Sequence, residues 1–162
     1  MKKRFLMLVL LLGGVGFSSI NMDYPSPRYT PILMERAELE RSVFYLPEGR
    51  KLENVGKIYA RESYLFVNER YEGIHVINNT NPRQPRAEGF IVAPGCIDMA
   101  VKGDILYLDN AVDLVAFNLT TKQVTERIKN VFPEPFAPDN SYVNTSNRPE
   151  NFVLVGWKRN EY

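Results

Sequence analysis

Cysteine, histidine and tryptophan each occur once in this 162-residue chain. With Cys96 the sole cysteine, no internal disulfide can form, and stability has to come from packing. One His and one Cys also exclude the common zinc-ligand sets. A surplus of either charge is missing: 20 Lys and Arg stand against 19 Asp and Glu, a formal +1, so no long-range field draws nucleic acid or an anionic membrane. Neither a P-loop nor a GxSxG elbow is present, which removes two frequent sources of phosphate and acyl chemistry. The apolar run from Phe5 to Leu12 is shorter than the roughly 20 residues that span a bilayer, and it reads poorly as a permanent transmembrane helix.

That run reads well as part of a leader. Lys2, Lys3 and Arg4 precede it, and Gly16 and Ser18 supply small residues at the spacing a signal peptidase reads. Residues 1–18 are therefore expected to be a cleaved signal, sending the chain to the periplasm or cell envelope. No cysteine follows the leader, so there is no lipobox. Residues 19–32 contain NMDYPSPRYTP, with three prolines and no apolar periodicity, and are expected to be a spacer. The domain is expected over 33–162.

Its first element is predicted to be a helix over 34–43, MERAELERSV, built of strong helix formers. Arg36 and Glu40 fall four apart, and Leu39, Val43 and Phe44 are expected to dock it on a core. Aromatics make up 12% of the chain, and that favours sheets for the remainder. Four strands are predicted over 57–91: Lys57 to Arg61, Tyr64 to Asn68, Gly73 to Asn78 and Ala87 to Ile91. Four more are predicted over 98–128: Asp98 to Lys102, Ile105 to Asp109, Leu114 to Asn118 and Val124 to Ile128. Residues 129–162 read as an irregular, Pro- and Asn-rich tail ending in a strand, Phe152 to Lys158.

The two sets of strands echo one another. Leu114 to Asn118 matches Ile74 to Asn78 at an offset of 40 residues, and Leu106 to Asp109 matches Leu65 to Asn68 at an offset of 41. A period near 40 with several short strands per unit is the mark of a propeller blade. The expected fold is all-β: two consecutive four-stranded antiparallel propeller-type blades, an incomplete β-propeller, with a short N-terminal helix. Two blades cannot close a ring, so open sheet edges are expected to seek a partner, self-association included.

The strand-turn pattern GIHVINNTNPRQP, and more loosely DLVAFNLTTKQ, resembles the LVIVD repeat of exported bacterial β-propeller proteins, many of them from the Bacteroidetes group. The resemblance extends over APGCIDMAVKGDILYLDNAVDLVAFNL and NRPENFVLVGWK. It departs from the pattern where Asn78 and Asn118 stand in place of the usual Asp, and where the usual lipobox Cys and further repeats are wanting. It implies a non-catalytic scaffold of the cell envelope.

Candidates for chemistry are few. His75 lies mid-strand and is expected to be exposed or hydrogen-bonded, not a general base. Cys96 is expected to be a small buried residue. Asp98, Asp109 and Asp113 sit at strand ends that a meander brings near one another, and these three are the candidate ligand-binding residues, of a kind that hard cations accept. Turn and capping roles account for each separately, so no metal and no cofactor is expected. Glu62, Glu69 and Glu72 read as a wet edge. The expected function is a non-enzymatic scaffold or binding module that presents loops and edges to a protein or glycan. The alternatives are a truncated paralogue without activity of its own and a hydrolase completed by oligomerisation.

Overall fold

The computed structural model describes residues 28–141, 145 and 147–161. The expected signal and most of the expected spacer lie outside them. In chain order the elements are β1 (Tyr29–Glu35), α1 (Arg36–Leu39), β2 (Phe44–Leu46), β3 (Val55–Arg61), β4 (Tyr64–Glu69), β5 (Gly73–Asn78) and β6 (Arg86–Val92). They continue with β7 (Met99–Lys102), β8 (Ile105–Asn110), β9 (Asp113–Asn118), β10 (Gln123–Ile128) and β11 (Phe152–Arg159). The protein is all-β. Among the described residues, the strands form three antiparallel sheets, none closed on itself: a first sheet ordered β2-β6-β5-β4-β3, a second ordered β10-β9-β8-β7, and a two-stranded sheet of β1 and β11.

The strands follow from β-branched and aromatic runs cut by turn chemistry. Asn78 and Asn118 end their strands in the same way. The Asn78 side-chain oxygen accepts the Thr80 N–H, and that of Asn118 accepts the N–H groups of Thr120 and Thr121. Registers correspond too. β3 pairs with β4 from Ile58↔Val67 to Arg61↔Tyr64, and β7 pairs with β8 from Met99↔Leu108 to Lys102↔Ile105, each partner 41 residues further on. The next hairpin has three loop residues between Glu69 and Gly73 but only two between Asn110 and Asp113, which turns the offset of 41 into 40. Beyond it, β6 bulges opposite Val76 and Ile77, and β10 bulges opposite Ala116 and Phe117, 40 residues on.

Pleating gives each sheet two faces. Phe66, Ile74 and Val76 of the first sheet meet Met99, Leu106, Leu108, Val115 and Phe117 of the second in one core, with Cys96 at 0% exposure among them. A smaller cluster joins Leu39, Ala111, Val112, Val153 and Val155, and so fastens α1 and β11 to the turn between β8 and β9.

Several expectations need correction. The helix is Arg36–Leu39, not 34–43, because Met34 and Glu35 are held in β1 by pairing with Val153 and Phe152. Tertiary pairing overrides helix propensity there. Leu39 and Val43 are buried as expected and Arg36 does pair with Glu40, but Phe44 is exposed on the edge strand β2. The end of the expected spacer is strand as well, since Pro31 is tolerated on a strand with a free edge. Finally, the first sheet has five strands and not four: β2 pairs outside β6 through Phe44↔Val92 to Leu46↔Phe90.

Candidate functional site

The second sheet turns its other face, bearing Tyr107, Asp109 and Leu114, toward a groove of about 580 Å3. Residues 132–136, FPEPF, form the opposite wall. Two prolines within five residues remove the N–H groups a ladder needs, so this segment crosses the sheet without joining it. It is anchored at both ends. Val131 and Phe132 donate to the Val112 carbonyl, and the Trp157 indole N–H donates to that of Pro135 at 3.3 Å. Tyr71 and Ile97 complete an aromatic and aliphatic lining, and Phe136 stands 80% exposed at the mouth. An exposed apolar surface with a few polar groups is what a binding site for an apolar partner requires.

The three candidate aspartates do not converge. In an antiparallel pair, residues directly opposite share a face. Asp113 is opposite Asn110 while Asp109 is opposite Leu114, so the two carboxylates project to opposite sides of the sheet. Asp109 is buried in the groove wall, where it accepts the N–H groups of Ile97 and Asp98, both at 2.9 Å. Burial pushes its carboxyl above the ordinary value, against the lowering effect of those two donors. Asp98 lines the same groove and is held by the Lys57 ammonium and the Met99 N–H. Asp113, fully buried, takes two bonds from the Arg36 guanidinium, at 2.9 and 2.8 Å, one from Arg127 at 2.7 Å and one from the Asn130 N–H at 3.0 Å. It is a structural anchor. Among the described residues, no three His, Cys, Asp or Glu side chains are placed to hold a metal ion.

The first sheet contains a polar pair that was not anticipated as one. His75 is opposite Val67, so it shares a face with Glu69, two residues further along β4. Its Nε2 lies 3.0 Å from the Glu69 carboxylate, and both side chains are buried. Glu69 also accepts the backbone N–H groups of Glu53 and Asn54, and so ties down the strap between β2 and β3. Glu69 is thus no part of a wet edge, although Glu62 and Glu72 are exposed. The alternation Leu65, Val67, Glu69 was the available signal. His75 is hydrogen-bonded, one of the two fates expected for it. Cys96 is buried, and burial first, then the neighbouring Asp109, pushes its thiol well above the ordinary value. A thiol so placed stays protonated and is a poor nucleophile.

No family model, no curated protein and no solved structure matches the chain. Among the described residues, no helix is long and apolar enough to cross a membrane.

Proposed function

We propose that this chain is an exported, non-catalytic scaffold or binding module of the bacterial cell envelope, of propeller type and similar to LVIVD-repeat proteins. Its partner-facing surface is the groove over the second sheet. The observation that carries this reading is the groove itself: an open, aromatic-lined surface whose carboxylates, Asp98, Asp109 and Glu134, are each engaged within the protein, the last by Arg148. Support for two propeller-type blades comes from the matched registers, matched bulges and matched Asn turns. The leader read from Lys2 to Ser18 supports export. In an enzyme, one would look for an acid and a base converging on the groove; Asp109 is buried and holds the Ile97 and Asp98 N–H groups on its Oδ1, and Asp98 is held by Lys57 and the Met99 N–H.

Fractionation of cells expressing the full chain tests the export: a shortened product in the periplasm or envelope is expected, and an unprocessed cytoplasmic product refutes it. Retention of the purified protein on envelope glycan and envelope protein fractions tests the binding. Retention should fall with Phe136→Ala and persist with Asp98→Asn. A hydrolase built on the acidic residues predicts stabilisation by calcium instead, and an unchanged melting curve with added calcium leaves that reading without support.

A further inference from the structure

The two sheets use opposite faces to pack on one another, and each leaves part of its other face open. On the first sheet the strap before β3 covers Val67, Glu69, His75 and Phe90, the first and third of them counterparts of the core residues Leu108 and Val115. On the second sheet residues 132–136 stand over the Asp109 end. Corresponding positions can be read from the registers at offsets of 41 and 40. The first sheet sends Phe66, Ile74 and Val76 into the shared core, and their counterparts in the second sheet are Tyr107, Leu114 and Ala116 on the groove face. In return, the second sheet sends Met99, Val101, Leu106 and Phe117 into the core. Their counterparts on the far face of the first sheet are Ile58, Ala60, Leu65 and Ile77. None of those four is buried: Ile58 is 63% exposed, where Met99 is 8% exposed, and Tyr107 is 36% exposed, where Phe66 is 3% exposed.

The open parts of the two faces, Ile58, Ala60, Leu65 and Ile77 on the first sheet and Tyr107 and Ala116 on the second, therefore display apolar side chains at positions that fit one another inside the molecule. We propose that copies of this chain associate head to tail, the groove face of the second sheet of one copy seating the far face of the first sheet of the next. This deepens the functional reading above and rests on its premise that the two sheets are copies of one module. Charge agrees with the apolar pattern. Inside the molecule, Arg61 at the end of β3 reaches the turn of the second sheet, bonding the Gly103 carbonyl and lying 3.6 Å from Asp104. The counterpart of Arg61 is Lys102, and the counterpart of Gly103 is Glu62; both are exposed. The same docking between copies sets the Lys102 ammonium beside the Glu62 carboxylate. A contact of this kind is heterologous, and repetition of it gives a ring or a filament.

Sedimentation velocity on the purified chain, over a range of concentrations, tests the proposal. The wild-type chain should form assemblies larger than a monomer. Ile58→Asp, which spoils only the far face, and Tyr107→Asp, which spoils only the groove face, should each weaken assembly at least tenfold. An equimolar mixture of the two should recover a dimer, since each retains the face the other has lost. Lys102→Glu should weaken assembly, and adding Glu62→Lys to it should restore it; both positions are exposed, so folding is spared. A wild-type chain that stays monomeric at every concentration overturns the association, and so does a mixture that fails to pair. Neither result touches partner retention or export, whose own tests decide the broader reading.

Discussion

Glu69 and Asp113 are two buried carboxylates that meet the cost of burial in different ways. Burial alone raises the Glu69 carboxyl; the bonds from His75 and from the N–H groups of Glu53 and Asn54 outweigh it and hold the carboxyl below its ordinary value. A carboxyl that is lower in the folded chain than in the unfolded one adds stability above its ordinary range, and that stability is lost as pH falls through its folded value. The urea midpoint of the wild-type protein should therefore fall more steeply between neutral pH and the acid range than that of Glu69→Gln. At neutral pH the variant should be the weaker by about 1–3 kcal/mol, because its donors lose a charged acceptor. Asp113 is held by charge on both sides. Asp113→Asn leaves Arg127 with no counter-ion, and Arg36 with Glu40 alone, in a largely buried site and should cost about 3–5 kcal/mol in urea unfolding.

At the scale of elements, turns carry the correspondence between the sheets, and two glycines show what a turn tolerates. Gly103 has a φ of 57° and Gly95 one of 82°, so each pays for a side chain in backbone strain. A Cβ at Gly103 meets nothing within 4 Å, whereas one at Gly95 comes within 2.7 Å of the Ala111 backbone. Gly103→Ala should cost about 1–2 kcal/mol, and Gly95→Ala distinctly more, as measured by thermal melts of the two variants side by side. Strands were the legible part of this fold. Every strand expected between Lys57 and Lys158 is present within two residues at either end, because alternation and turn residues are local signals. β1 and β2 were not legible. Pro31 disguised the first and three residues are too few to alternate in the second, and both depend on distant partners, β11 and β6. For the site, strand ends showed that Asp98, Asp109 and Asp113 were near one another. The face each carboxylate takes depends on hairpin register, and one residue more or less in a turn reverses it.

For the molecule as a whole, the placement of Cys96 makes cooperativity measurable. Its side chain lies within the core that the two large sheets share, at 0% exposure. If the sheets open only together, modification of Cys96 by a thiol reagent should proceed at the rate of global unfolding, as determined from urea-jump kinetics. Faster labelling would mean that the sheets part while each remains folded. The pairing of β1 with β11 carries a different consequence. Tyr29 lies opposite Arg159 and Glu35 opposite Phe152, so the outward-leading ends of both strands emerge side by side at one end of the ribbon. Tension applied between those ends loads the rungs in succession, as a zip is drawn, instead of shearing them at once. The ribbon is thus a weak mechanical fuse, yielding before force can reach the larger sheets.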